Sequence, residues 1–122
     1  MLGSCGSNES ESATSTVNVD GREVSTIKIG NLEVMTEDLG VMDWHDAKKA
    51  CADLGDGWRL PTKDELNILY KNKDKIGGFV SNFYWSSTEY GNYGAWVQDC
   101  NDGIQLNYYK YNSIYVRAVR AF

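Results

Sequence analysis

Apolar and polar positions alternate in the first part of the chain, and this alternation predicts two β-hairpins. Residues 16–19 and 22–24 flank Asp20-Gly21, a type I′ turn signal. Residues 26–29 and 32–35 flank Gly30-Asn31, a second turn signal. Ile27 and Ile29 share one face of a strand, as alternation requires. The chain therefore begins its folded part with short antiparallel strands.

The pattern then changes to a helical period. Trp44, Ala47, Cys51 and Leu54 are spaced by three, four and three residues, so they line one face of a helix that Asp43 can cap and Gly55 can end. A capping box at 62–65 opens a second helix after Pro61, with Leu66, Leu69 and Tyr70 facing inward. Gly77-Gly78 ends this pattern.

From Phe83 onward the helical period disappears. Short strands are predicted at 84–86, 95–100, 104–108 and 115–121, separated by Gly91, Gly94, the Asp102-Gly103 turn and a polar stretch at 109–113. The order of strands, two helices and strands predicts an α+β fold. A length of 122 residues suits one domain with a single core.

Charge and aromatic residues divide the chain unequally. Residues 1–83 carry 9 basic and 14 acidic side chains, which accounts for the whole net charge of −5, and residues 84–122 carry three of each. That neutral third holds seven of the eight tyrosines. Tyrosine at this density favours a binding surface or, equally, β-strands. The acidic balance makes nucleic acid an improbable partner.

The first sixteen residues lack apolar periodicity and are predicted to form a flexible tether, with the domain at 17–122. Within the tether, Leu2-Gly3-Ser4-Cys5 resembles a bacterial lipobox, in which Cys5 is lipidated. Only Met1 precedes the motif. Two interpretations therefore stay open: a signal segment precedes Met1 in the full gene, or the match is chance in a Gly/Ser-rich tail. The first implies export and a lipid anchor at the bacterial cell surface.

Several motifs in order resemble one group of proteins. They are Gly57-Trp58-Arg59-Leu60-Pro61-Thr62, Tyr84-Trp85-Ser86-Ser87-Thr88-Glu89, Ala95-Trp96, Asp102-Gly103 and the ending Tyr115-Val116-Arg117-Ala118-Val119-Arg120-Ala121-Phe122. The group comprises bacterial C-type-lectin-like domains, among them the Legionella collagen-like C-terminal domain, Fibrobacter-type major paralogous domains and the variable proteins of diversity-generating retroelements. The resemblance covers about residues 26–122 and implies a C-type-lectin-like fold, with an early strand paired to the C-terminal strand.

The resemblance also implies a non-enzymatic ligand-binding module whose site lies between Tyr84 and Tyr115. In retroelement proteins, adenine-directed replacement of asparagine AAC codons produces a limited set of residues. The residues here that belong to this set or lie beside it, and that are predicted to bind a protein or glycan ligand, are Asn92, Tyr93, Val97, Asp99, Asn101, Ile104, Leu106, Tyr108, Tyr109, Tyr111, Asn112 and Ile114. Two interpretations stay open: a diversified site, or an ordinary polar loop region in a structural or adhesive domain.

Several of these residues are expected to share one exposed patch, comprising Val97, Asp99, Asn101, Ile104, Leu106, Tyr108, Tyr109 and Tyr111. Trp58, Leu60, Trp85 and Trp96 are expected in the core. The group has an aliphatic residue where Gln98 stands and an aromatic one where Cys100 stands, so a buried Gln98 needs hydrogen-bond partners.

No cofactor or metal site is predicted. The single histidine, His45, excludes multi-histidine sites and is expected at the surface. The calcium loop of C-type lectins contains a proline, and the only proline here, Pro61, lies elsewhere. Cys51 is expected to be an inert core thiol, and a Cys51–Cys100 disulfide is possible in an exported protein. No nucleophile–base pair supports an enzyme.

Overall fold

The computed structural model describes residues 15–121, which form two β-sheets and three helices. The strands are β1 (Thr16–Val19), β2 (Arg22–Ile29), β3 (Leu32–Met35), β4 (Gly40–Met42), β5 (Phe83–Tyr90), β6 (Gly94–Asp99), β7 (Gln105–Tyr109), β8 (Ile114–Val116) and β9 (Val119–Ala121). The helices are α1 (Trp44–Asp53), α2 (Lys63–Lys71) and α3 (Lys73–Ile76). The predicted α+β organisation is confirmed, and α3 is an additional short helix.

The first sheet has the strand order β1-β2-β3-β9 and contains both predicted hairpins. Asp20 and Gly21 have φ angles of 52° and 82° in the first turn, as a type I′ turn demands. β3 pairs with β9 in the register Val34↔Val119. The expected pairing of an early strand with the C-terminal strand is therefore confirmed. β1 begins one residue before the predicted domain boundary, while Cys5 and most of the tether lie outside the described residues.

The C-terminal run does not form the single strand that its sequence predicts. β8 joins the second sheet, whose order is β4-β8-β5-β6-β7, and β9 joins the first. Between them Arg117 is fully buried: it pairs with Asp38 at 2.8 Å and donates to the backbone oxygens of Met35 and Gly77. Because the chain must pass from one sheet to the other here, a buried cation with several acceptors stabilises the crossing.

Both long helices begin as their caps predict. The Asp43 carboxylate accepts a hydrogen bond from the Asp46 N–H, and the Thr62–Glu65 capping box is complete. α1 buries Trp44, Ala47 and Cys51, which lie on the predicted face. Helix starts of this kind depend on local hydrogen bonds, and the sequence alone therefore locates them well.

The core consists of two clusters of buried side chains. Trp58, Leu60 and Trp85 belong to the first, so their predicted burial is confirmed. Cys51 also lies in the first cluster and Cys100 in the second, and both are free thiols. Burial raises the pKa of Cys51 to about 12 and that of Cys100 to about 11. The interpretation of Cys51 as an unreactive core thiol is confirmed, and the possible disulfide does not form.

A bulge in β5 anchors α2 to the second sheet. The pairing with β6 shifts register between Trp85 and Glu89. Within that interval the Ser87 N–H donates to the Pro61 oxygen at 2.7 Å, and the Thr88 hydroxyl accepts from the Lys63 N–H at 2.9 Å. The two motifs that are far apart in the sequence, at 57–62 and 84–89, therefore meet at the start of α2.

Candidate functional site

The predicted ligand-binding residues lie at two opposite ends of the β6–β7 hairpin and partly in the core. We call residues 90–94 and 109–112 the open end, and residues 99–104 the turn end. The open end contains Asn92, Tyr93, Tyr109, Tyr111 and Asn112, and the turn end contains Asp99, Asn101 and Ile104. Since the strands of the hairpin separate the two ends, the predicted single exposed patch is wrong.

Two residues expected at the ligand surface are buried. Val97 is fully buried and Ile114 is 7% exposed, and both belong to the first core cluster. β6 and β8 are inner strands of the five-stranded sheet, so one face of each packs against the core. Alternation alone showed which residues share a face, but it did not show that the face of Val97 is covered.

Leu106 and Tyr108 lie on the opposite face of β7 from Tyr109. Leu106 pairs with Val97 and Tyr108 pairs with Ala95, so both side chains lie on the face that Val97 and Ala95 share. On the edge strand β7, Leu106 is nevertheless 37% exposed, as expected. The Tyr108 ring packs against Phe83 at a centroid distance of 5.1 Å and is half-buried. Tyr108 is therefore mainly a packing residue, and the expectation that it is exposed is wrong.

Trp96 is half-buried, although a core position was expected. Its ring packs edge-to-face with Tyr90 at 5.5 Å, and the Lys63 ammonium lies 3.7 Å from the ring centroid. Trp96 lies on the face of β6 that α2 partly covers. Gly94, at the open end, lies on the same face two residues earlier. The Trp96 ring therefore supports the exposed ring of Tyr90.

The open end contains a groove of about 570 Å³. Its base is Gly94, which pairs with Tyr90 on β5 and with Tyr109 on β7. The groove is lined by uncharged residues, namely Tyr90, Gly91, Asn92, Tyr93, Gly94, Asn107, Tyr108, Tyr109 and Asn112. Tyr90 and Asn107 were not among the predicted site residues. Their cross-strand positions, Tyr90 beside Gly94 and Asn107 beside Trp96, place them at the groove. Asn107 has the residue type that marked the other candidates, whereas the sequence pattern contained no signal for Tyr90.

A stacked pair of tyrosines separates this groove from a smaller cavity. The rings of Tyr109 and Tyr111 are nearly parallel, at 5° and a centroid distance of 5.3 Å. Tyr109 lines the groove, and Tyr111 lines the second cavity of about 240 Å³, whose other lining residues include Asp43 and His45. His45 is exposed, as expected. Each cavity is therefore lined by one ring of the stack.

The Lys110 side chain connects the segments of the open end to one another and to α1. Its ammonium donates to Glu89 Oε2 at 2.6 Å and to the Asn92 oxygen at 3.1 Å, and lies 4.5 Å from the centroid of the Trp44 ring. The hydrogen bond and charge of Lys110 lower the pKa of Glu89. The side chain is largely buried, whereas lysines are usually exposed. Lys110 is thus a positioning residue that connects the turns at both sides of the groove to α1.

The buried Gln98 finds the partners that its position requires. Its amide nitrogen donates to Asn67 Oδ1 at 2.9 Å and to the Gly103 oxygen at 3.0 Å, and its oxygen accepts from Gln105 at 3.2 Å. Gln105 also donates to the Lys63 oxygen at 3.0 Å. This polar network fastens α2 to β6 and β7 below the groove.

The described residues expose a large aromatic surface at the open end. Within residues 15–121, no group of three or more His, Cys, Asp or Glu side chains is placed to hold a metal ion. In the same range, no helix is long and apolar enough to span a membrane. Four tyrosines at the open end are more than half exposed, which is large apolar area for the surface of a small protein.

The comparisons with known proteins agree with this architecture. The model of the Lcl C-terminal domain family matches residues 10–120. Among solved structures, botrocetin is similar with a TM-score of 0.60 at 10% identity, covering 80% of this chain and 96% of botrocetin. Botrocetin in complex with a mutant A1 domain of von Willebrand factor is similar with a TM-score of 0.57, at the same identity and coverage. No curated protein sequence matches the chain. The predicted C-type-lectin-like fold is confirmed.

Proposed function

Because the chain belongs to the Lcl C-terminal domain family, and its fold is C-type-lectin-like, we propose that it is a non-enzymatic ligand-binding module whose site is the groove of the open end. The observation that carries this proposal is the exposure of Tyr90, Tyr93 and Tyr109 around one uncharged groove, with the exposed Tyr111 stacked on Tyr109. Exposed tyrosines provide contact area at low conformational-entropy cost, and this makes them frequent in binding sites.

The proposed ligand is an exposed segment of a protein or a glycan. The similar structure of botrocetin is of a complex with a protein domain, so this fold can present a surface to a macromolecule. The net charge of −5 disfavours nucleic acid as a ligand. Export and lipid attachment at Cys5 belong to the same proposal, because a module of this kind needs access to ligands outside the cell.

The test uses the complete chain against two libraries, one of displayed peptides and one of immobilised glycans. We expect wild-type protein to enrich specific ligands, and the double variant Tyr109→Ala/Tyr111→Ala to lose them. The matched control is Ile68→Ala/Val80→Ala, which removes two exposed apolar side chains elsewhere. Ligands that both double variants retain, or the absence of any enriched ligand, would contradict the proposal.

Diversification by a retroelement is a narrower form of the proposal. It is supported by the exposed positions whose residue types can arise from an AAC codon. Burial of Val97 and Ile114 argues against free variation at those two positions. A reverse transcriptase gene beside this gene, with an adenine-rich near-copy of its 3′ end, is the expected genomic finding. Without both, the module is an adhesive or structural domain with an invariant site.

The anchor is tested separately from the groove. The complete gene product should associate with the membrane fraction of a bacterial host through a lipidated Cys5. Cys5→Ser should release it into the soluble fraction, whereas Ser4→Ala should not change its distribution. Equal membrane association of the two variants would contradict lipid attachment at Cys5.

A further inference from the structure

The groove contains a slot between two tyrosines, with no side chain between them. Tyr90, Gly94 and Tyr109 form one cross-strand row on β5, β6 and β7. Strands lie ~4.8 Å apart, so the two tyrosines are rooted roughly 10 Å from each other. A Cβ atom at Gly94 would lie 3.0 Å from the Tyr90 oxygen and 3.3 Å from the Tyr108 oxygen. Crowding thus favours glycine at this position. A separation of roughly 10 Å between the backbones that carry the two tyrosines leaves room for one ring-shaped group.

Both walls of the slot are held by other rings. Tyr90 packs edge-to-face on Trp96 at 5.5 Å, and Tyr109 stacks on Tyr111 at 5.3 Å. Edge-to-face and stacked contacts of this kind stabilise an aromatic side chain beyond the effect of its buried area. The two walls are therefore positioned before a ligand arrives, which lowers the entropy cost of binding.

Three side-chain amides around the slot have no partner among residues 15–121. Asn92, Asn107 and Asn112 line the groove, and none of their amide groups makes a hydrogen bond within the described part of the chain. By contrast, the amides of Asn67, Gln98 and Gln105 a few ångströms below are bonded to one another. Each free amide offers two donors and one acceptor, which suits hydroxyl groups because a hydroxyl both donates and accepts.

From this arrangement we propose that the slot binds one neutral pyranose unit of a glycan, without a metal ion. The inference deepens the function proposed above and rests on it. The C–H faces of the sugar pack against Tyr90 and Tyr109, and its hydroxyls bond to the amides of Asn92, Asn107 and Asn112. The lining contains no charged side chain, and the nearby Lys110 ammonium is engaged by Glu89 and a backbone oxygen. A sulfate or carboxylate on the ligand therefore has no free cation in this groove.

The experiment is an NMR titration of the complete ¹⁵N-labelled chain in buffer containing EDTA. The probes are methyl β-D-glucopyranoside, methyl β-D-galactopyranoside and methyl α-D-mannopyranoside. A sulfated disaccharide and a tyrosine-containing tetrapeptide are titrated in parallel. We expect at least one pyranoside to bind saturably, with a millimolar Kd typical of a single small unit, and to shift the amide signals of 91–94 and 107–112.

Variants assign this binding to the slot. Tyr109→Ala should weaken pyranoside binding at least tenfold, whereas Tyr109→Phe should change it less than threefold, because the ring is retained. Asn107→Leu should weaken binding severalfold, since it removes an amide but little volume. The matched control is Ile104→Ala at the turn end, which should bind as the wild type does. A folded spectrum of each variant separates loss of binding from loss of structure.

Several outcomes would overturn the proposal. They are binding only of the sulfated disaccharide or only of the tetrapeptide, pyranoside binding that EDTA abolishes, shifts confined to the turn end, and no binding of any pyranoside. Peptide binding that Tyr109→Ala removes would overturn the glycan assignment and leave the binding function intact. Failure of both the titration and the library screen would overturn the two proposals together.

Discussion

The two ends of the β6–β7 hairpin contain the same kinds of residue and use them differently. At the turn end, Asp99 accepts from the Asn101 N–H at 2.8 Å and Asp102 accepts from the Ile104 N–H at 3.0 Å. At the open end, Asn92 and Asn112 line a groove, and their side-chain amides have no hydrogen-bond partner among residues 15–121. Polar residues that satisfy their own backbone build a turn, and those left free can contact a ligand.

Packing reinforces the difference between the ends. Gly103 lies against the ring of Tyr70 on α2, and Lys73 donates to the Cys100 oxygen at 2.6 Å. The turn end is thus attached to α2 and α3. At the open end, the ring contacts are Tyr90 with Trp96 and Tyr109 with Tyr111, and four tyrosines stay more than half exposed. An end that is packed against helices supports the fold, while an end whose rings stay exposed is available to ligands.

The largest expected effect is unfolding of the domain, which would disrupt the open end and the turn end together. Trp85 is fully buried, and its indole donates to the Met42 oxygen at 2.9 Å. Trp85→Ala should lower the free energy of unfolding by ~3–5 kcal/mol, which is enough to unfold many domains of this size. Urea or thermal denaturation measures it. An unchanged melting temperature would show that this indole does not support the core.

A smaller loss of stability is expected when a glycine of either end is replaced, and it should be larger at the turn end than at the open end. Gly103 has φ 85°, and an added Cβ would lie 2.6 Å from the Tyr70 ring. Gly103→Ala should therefore cost about 2–4 kcal/mol, from strained backbone and overpacking together. Gly91→Ala is the matched control, with φ 71° and no atom within 4 Å of the added Cβ. It should cost only ~1–2 kcal/mol. Equal losses in urea denaturation would contradict the difference in packing.

The exposed tyrosines should affect stability less than either glycine. Tyr109→Ala and Tyr111→Ala should each change the free energy of unfolding by under ~1 kcal/mol, since these rings are mostly exposed and lose only their mutual stacking. Tyr108→Ala is the contrasting variant, because its half-buried ring packs on Phe83 and its loss should cost more. Chemical denaturation of the three variants checks the order. A loss for Tyr109→Ala as large as that for Tyr108→Ala would place Tyr109 in the fold.

A smaller effect is local to the open end and depends on pH. The bond from Lys110 holds the pKa of Glu89 below its ordinary 4.5. This stabilising contact is fully present above pH 4.5 and is lost as the pH falls through the lowered pKa. NMR signals of Tyr93 and Lys110 should shift in that acidic range, because the Lys110 N–H bonds to the Tyr93 oxygen. In Glu89→Gln this transition should be absent. Its persistence there would assign it to another group.

Acid should also weaken the first sheet, through the buried carboxylate of Glu33. Burial of Glu33 opposes its ionisation, but hydrogen bonds from Thr26, Ser15 and Arg120 outweigh this and lower its pKa. This carboxylate connects β3 with β9 and with the start of β1. Global stability should therefore decrease as pH falls below 4.5, and the decrease should be smaller in Glu33→Gln. Urea denaturation at pH 3 and pH 7 compares the two proteins, and equal pH dependence would contradict the role of Glu33.

The sequence by itself determined the features that depend on neighbouring residues. The Asp20-Gly21 turn, the Asp43 cap, the Thr62–Glu65 box and the buried face of α1 rest on contacts within a few positions of the chain. The motifs at 57–62 and 84–89 indicated the fold through their resemblance to C-type-lectin-like domains, and in the structure they meet at the bulge of β5. Local hydrogen bonding and hydrophobic period are sufficient to predict such elements.

Only the tertiary structure decided which residues face a ligand. Strand order placed β6 and β8 inside a sheet, and Val97 and Ile114 are buried for that reason. The same order brought Tyr90 beside Gly94 and Asn107 beside Trp96, and it placed the largely buried Lys110 under the groove instead of in solvent. Alternation along a strand shows which side chains share a face, but the elements packed against that face determine whether it is core or surface.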